Sequence, residues 1–283
     1  MTRYPRYSFV PQFGLDRLQI LASLSGQAEP PEIPGFRRVR NTFVRSQTSI
    51  KTYLRVCEYA NPVTHTRLFI QYLPQFPGLP PFKLTIIPDD RATLSRKELL
   101  RILRPFRKYR LLTLELALDF DLESKIDASF VRRHFLFGKS RLNTSRLFVL
   151  SAQYGHRKAD KLVRCYRKVE LHVFRVEVEL HSAFLRPNGI AEIADLQELP
   201  SLLFPKHIRI VSVDWAALVK YLSRRGLDAK KVVERAKSET SSLHATMQFL
   251  RTNVGVYNPH RFLRTISPSG TIFDLLKSWS RSF

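Results

Sequence analysis

Two runs in this chain alternate apolar and polar residues with a period of two, which constrains the backbone to pleated strands that each bury one face. In Leu112 to Asp121, Leu112, Leu114, Leu116, Leu118 and Phe120 alternate with Thr113, Glu115, Ala117, Asp119 and Asp121. From Arg175 onward, Val176, Val178 and Leu180 alternate with Arg175, Glu177, Glu179 and His181. Successive strand side chains point to opposite faces, so each run predicts an apolar core face and a wet face carrying acids. Carboxylates and imidazoles gathered on one sheet face are the residue types that hold a hard divalent cation or move protons.

Acid concentrated in one place is informative because the chain as a whole is basic. It has 47 Lys and Arg against 24 Asp and Glu, a formal net charge of +23. The cations run along the whole length instead of forming one tail, which predicts a broad polyanion-binding surface, with nucleic acid the first candidate and an anionic membrane the second. Apolar residues make up 44% of the 283, enough to build a substantial core. Cys57 and Cys165 stand far apart and support neither a disulfide framework nor a zinc cluster. A reducing, cytoplasmic setting is expected. The N-terminal stretch lacks the apolar core of a secretion signal, and no apolar run reaches the ~20 residues of a membrane span, so no membrane partner is expected. A stretch near Ile272 to Trp279 has a faint amphipathic pattern.

Short β-forming segments dominate residues 15 to 87: LDRLQILASL, FRRVRNTFV, KTYLRVCEY, TRLFIQYL and FKLTIIP. Ser95 with Glu98 forms a capping box ahead of a helix whose basic side carries Arg96, Lys97, Arg101 and Arg104. After the acidic strand, Asp127 caps a second helix through Phe135, and SRLFVLSAQYG, KLVRCYRKV and FRVEVELHSAFL predict three further strands. The fold class expected is α+β, with antiparallel-rich sheets and helices on one face across 1–187, as two related lobes at 1–109 and 110–187. Residues 188–283 predict a smaller, mainly helical region. It contains a helix up to Pro200, a short strand at HIRIVSV, a helix from Asp214 to Gly226 and one from Asp228 through Arg251. The pair joined by Gly226 and Leu227 fits either a plain helical hairpin or a helix-turn-helix.

The richest chemistry lies between Gln153 and Glu179. Gly155 stands where a chain must turn or let its backbone approach a phosphate. His156, Arg157, Lys158 and Lys161 follow as candidate nucleic-acid contacts, joined by the basic helix face at Arg96, Lys97, Arg101 and Arg104. On the next strand Arg164, Tyr166 and Lys168 share a face. Two cations beside a phenol favour its ionised form, which a tyrosine with an ordinary pKa of ~10 needs before it acts as a nucleophile. Without that setting, a strand tyrosine packs with a wet hydroxyl, and Glu177 and Glu179 pair with basic neighbours across the sheet.

Four segments in order resemble the replication initiation factors of the Rep-trans type, which start rolling-circle replication of small plasmids and filamentous phages. They are Leu-Glu-Leu-Ala-Leu-Asp-Phe at 114–120, Tyr154-Gly155-His156-Arg157, the Arg-x-Tyr-x-Lys strand at 164–168, and Arg-Val-Glu-x-Glu at 175–179. The resemblance covers 110 to 186 well, the first hundred residues loosely and the last eighty hardly at all. It implies that Tyr166 is the nucleophile of a DNA nickase and strand transferase, with Arg164, Lys168 and Arg175 as its cationic helpers. It further implies Mg²⁺ or Mn²⁺ on Asp119, Glu177 and Glu179, a single-stranded or cruciform DNA origin as substrate, a host helicase or polymerase as partner, and a homodimer. His156 and Ala159 stand where the family carries serines, and Arg167 where it carries Asp or Asn. A nucleic-acid-binding protein on the same scaffold without strand transfer is the alternative.

Overall fold

The structure, a computed structural model, describes residues 12–24, 26, 29–44, 52–89, 94–122, 127–137, 151–155, 159–198 and 208–265. Its main feature is a nine-stranded antiparallel sheet. The strands are β1 (Gln12–Ser23), β2 (Arg37–Phe43), β3 (Tyr53–Ala60), β4 (Arg67–Pro74), β5 (Phe82–Ile87), β6 (Lys108–Asp121), β8 (Ser151–Tyr154), β9 (Lys161–Lys168) and β10 (Val173–His181). β7 (Phe135–Leu136) belongs to a second, three-stranded sheet with β11 (Arg209–Val213) and β12 (Leu263–Thr265).

The nine strands lie in the order β2-β3-β4-β5-β1-β6-β10-β9-β8. Outward from the centre this is β1-β5-β4-β3-β2 on one side and β6-β10-β9-β8 on the other. Each half begins with a central strand and ends with a strand that returns beside it. The two halves nevertheless share one sheet and one core, since β1 pairs with β6 along almost its whole length.

Apolar alternation sets the register throughout. Leu114, Leu116, Leu118 and Phe120 of β6 point into the core with Val176, Val178 and Leu180 of β10 and Val163 and Cys165 of β9. A slip of one residue would turn all of them into solvent, so the pairing is strongly specified. Among the described residues, helices pack on this apolar face. Helix α1 (Arg96–Leu103) starts at Ser95, whose Oγ accepts from the Glu98 amide, and buries Leu99, Ile102 and Leu103. Helix α2 (Ala128–His134) starts at Asp127 and buries Ala128 and Val131, and the short α3 (Ser182–Leu185) adds Phe184 and Leu185. The protein is thus α+β, with the helices α1, α2 and α3 on one side of the sheet.

Beyond the sheet the chain differs from expectation in two places. Residues 190–198 form no regular α-helix, because the Asp195 carboxylate takes the amides of Ala191 and Glu192 and leaves only a 3₁₀ turn at Ala194–Glu198. The single helix expected from Asp228 to Arg251 is two helices. Helix α4 (Trp215–Arg224) precedes α5 (Ala229–Glu239), Thr240 is extended, and Ser242 caps α6 (Leu243–Thr252) through the Ala245 amide at 3.1 Å. These helices share a second core with Val211 and Val213, whereas Ile208 and Ile210 still belong to the first, so the division between cores falls inside β11. No helix among the described residues is long and apolar enough to cross a membrane.

Candidate active site

On the sheet face opposite the helices, β6, β10, β9 and β1 build a ladder of charged groups. Arg175 lies directly across from Asp119 on one side and Tyr166 on the other. Glu177 lies across from Arg164, and Glu179 across from Glu115. The ladder is not the wet face that alternation predicts: Glu115, Arg175 and Glu177 are only 2%, 2% and 3% exposed. Burial of that depth requires each charge to be paired.

The pairing is dense. Arg175 holds both Asp119 oxygens in a fork, Nε to Oδ1 and Nη2 to Oδ2 at 2.7 Å each, and its third nitrogen contacts Asp16. Arg164 contacts Glu177 and lies 3.4 Å from Glu115 and 3.6 Å from Glu179. Arg17 donates to Glu115 at 3.0 Å. His181 Nε2 lies 3.2 Å from Glu179. Tyr166, half-buried on β9, donates its hydroxyl proton to Glu177 Oε2 at 2.7 Å.

This environment reverses the electrostatic expectation for the phenol. Burial first, then the charge and hydrogen bond of Glu177, raise the Tyr166 pKa, and Arg175 offsets only part of that. Arg164, which the sequence sets beside the phenol, is also surrounded by three carboxylates: burial lowers its pKa, and Glu177, Glu115 and Glu179 more than offset that. Lys168 sits half-buried at the end of β9, opposite Val173. At neutral pH Tyr166 is therefore a hydroxyl, and it needs a base to lose its proton.

Carboxylate oxygens of Asp16, Glu115 and Glu177 lie within 4.8 Å of one another. Glu115 is pushed up to about 7 by burial and by its neighbours Glu177 and Glu179, against the pull of Arg17 and Arg164. Three hard oxygen donors whose charges repel in a dry setting suit a divalent cation such as Mg²⁺ or Mn²⁺. Of the ligands expected from sequence, Glu177 belongs to this triad, Asp119 is occupied by Arg175, and Glu179 stands with Arg164 and His181.

Asp16 and Arg17 reach the ladder together because of a β-bulge. Leu15 pairs with Leu116 and Arg17 with Glu115, so Asp16 is the extra residue. The sequence does carry a signal: Leu15 and Leu18, both core residues, are three apart where strict alternation would space them by two.

The other expected contacts fall elsewhere. Lys161 is not a surface cation: it is 4% exposed, and its Nζ donates to the Phe137 carbonyl at 2.8 Å. It pairs with Leu180 on the core side of the sheet, and burial lowers its pKa to about 8. Arg96, Lys97 and Arg104 are exposed and Arg101 partly so, but three of them sit on α1 and Arg104 is its C-cap, across the sheet from Tyr166. His156, Arg157 and Lys158 lie outside the described residues. Gly155 has a structural reason to be glycine, since its φ is +79° and a Cβ there would meet the Lys161 carbonyl oxygen at 2.9 Å. Compared with protein-family models and with curated proteins, the chain matches none.

Proposed function

We propose that this chain nicks and rejoins DNA through Tyr166, with a divalent metal, as the initiator of rolling-circle replication. The observation that carries the reading is the Tyr166 hydroxyl bonded to Glu177, beside a carboxylate triad, in a chain of net charge +23. The phenol oxygen attacks the scissile phosphorus while Glu177 takes its proton. A phosphotyrosine ester to the 5′ phosphate forms, the bond from phosphorus to the 3′ oxygen breaks, and that oxygen takes up the proton and leaves as a 3′ hydroxyl. The reverse step rejoins the strand. Asp16, Glu115 and Glu177 would hold Mg²⁺ or Mn²⁺, which supplies charge neutralisation at the phosphate. Arg175, held by Asp119 and Asp16, keeps a positive charge opposite Tyr166 and steadies the developing negative charge. The released 3′ hydroxyl serves as primer for a host polymerase, with a helicase opening the duplex.

The test is covalent capture. A labelled single-stranded origin oligonucleotide is expected to attach to the protein in Mg²⁺ or Mn²⁺. Tyr166→Phe is expected to lower attachment at least a thousandfold and leave affinity within about threefold. Attachment that survives the substitution removes Tyr166 from the reaction. A second reading, nucleic-acid binding without strand transfer, is favoured by Arg164 and Arg175 already being engaged by carboxylates. It is expected to show salt-sensitive binding with no adduct in any metal.

A further inference from the structure

The nine-stranded sheet ends in two unlike edges, β8 and β2. β8 alternates part-buried and buried residues, whereas every residue of β2 from Arg37 to Phe43 is exposed. Val39 and Phe43 on this strand are 60% and 63% exposed. An edge strand is a row of unpaired backbone donors and acceptors, and folds usually blunt it with charge, a bulge or a cover. β2 has the charge, in Arg37, Arg38 and Arg40, and a bulge at Val39, yet it presents two large apolar side chains and no cover.

Three side-chain links hold this exposed strand in place. Arg38 donates to the Tyr59 hydroxyl at 3.2 Å, Arg40 to Glu58 at 2.8 Å, and the Asn41 amide to the Tyr72 hydroxyl at 2.9 Å. The edge is therefore ordered before any partner arrives, which removes part of the cost of association. Its free groups follow from the pairing. The Val44 N–H donates to the Leu54 carbonyl at 2.8 Å, so Thr42 and Arg40 also face β3, while Asn41 and Phe43 point their N–H and C=O groups away from the sheet. Glu58 and Ala60 are two apart on β3, so their partners Arg40 and Arg37 share one face; Phe43, opposite Arg55, lies on the other.

We propose that β2 is a docking edge for an acidic, extended segment of a partner protein, which adds to the sheet as one more strand. Backbone pairing at Asn41 and Phe43 supplies affinity, and alternate side chains supply selection. Acids on one face of the incoming strand meet Arg37 and Arg40, and apolar residues on the other meet Phe43. Charge argues against a second copy as the occupant: β2 paired with itself would bring two sets of three arginines together, and like charges across a strand pair are destabilising. The proposal goes beyond strand transfer and needs neither metal nor DNA.

The test uses the full chain and a labelled panel of seven-residue peptides that alternate Glu with Val, Ile, Thr or Phe. Saturable binding, read by fluorescence anisotropy, is expected for at least one peptide and for none in which Lys replaces Glu. Phe43→Pro removes an outward N–H and leaves the bonds to β3; it is expected to weaken binding at least tenfold with an unchanged melting temperature. Phe43→Val keeps that N–H and is expected to stay within about threefold. Arg37→Glu is expected to weaken binding at least tenfold. N-methylation of alternate peptide amides is expected to abolish binding for one set and spare the other, because a strand offers its neighbour only every second amide. Equal loss from both methylated sets, displacement by excess oligothymidine, or no binding anywhere in the panel would each overturn the proposal. Self-association of the chain that Phe43→Pro abolishes would make a second copy the occupant and overturn it as well. None of these measurements involves strand transfer, so their outcome is independent of adduct formation at Tyr166.

Discussion

Glu115 is the side chain whose chemistry is most altered by its surroundings. An exposed glutamate titrates near 4.5, while this one is pushed up to about 7 by burial and by Glu177 and Glu179. Between those values the folded protein holds a proton that the unfolded chain has released, so this carboxyl makes stability fall as pH rises through that window. Thermal unfolding without metal is expected to give a lower melting temperature at pH 7.5 than at pH 5.5 from this source. Adding Mn²⁺ is expected to restore it at pH 7.5 and do little at pH 5.5. Glu115→Gln is expected to flatten the pH dependence and remove the Mn²⁺ effect; an unchanged profile would exclude Glu115 from the proposed metal site. Lys161 carries the opposite lesson, that a basic residue on a strand of the charged ladder need not share the ladder's face. Its ammonium is spent on the Phe137 carbonyl. Lys161→Met is expected to leave DNA affinity within about twofold while costing about 1 kcal/mol in urea unfolding, for the lost hydrogen bond.

At the scale of elements, the bulge in β1 decides the make-up of the site. It lets two adjacent residues serve the charged ladder, Asp16 at Arg175 and Arg17 at Glu115. Asp16→Ala removes one oxygen donor but leaves the strand pairing and the Arg175–Asp119 fork in place. Calorimetric Mn²⁺ affinity is expected to fall on the order of tenfold or more, with the melting temperature of the metal-free protein nearly unchanged. Asp119→Ala is the contrasting variant: it strips Arg175 of its bidentate partner and is expected to cost about 3 kcal/mol or more of stability, because a buried guanidinium loses most of its neutralisation.

For the whole molecule, the separation of charge is the organising feature. The acids of the ladder are gathered around β6 and β10 on one sheet face, while Arg96, Lys97 and Arg101 stand on α1 on the far side. A strand bound at Tyr166 therefore cannot also lie along α1 without passing around the sheet. Binding of a short single strand is expected to weaken at least a hundredfold between 50 and 200 mM salt, since each neutralised phosphate releases counterions. A shallow salt slope in that measurement would mean that few of the 47 basic residues touch the ligand.

Strands, their order along the chain and their apolar faces were legible in the sequence, because the period of two is a local property that burial of one face enforces. That is why all five early strands and the acidic pair β6 and β10 lie where the alternation puts them. Local capping chemistry likewise marked the starts of α1, α2 and α4 at Ser95, Asp127 and Asp214. The partners across strands were not legible. Which carboxylates converge depends on the register between strands far apart in the chain and on one extra residue in β1, so Asp16 and Glu115, not Asp119 and Glu179, stand with Glu177 in the triad. Nor could alternation tell that the polar face is buried, or that Lys161 points inward. Burial depends on what folds over a surface, and only the tertiary structure decides that.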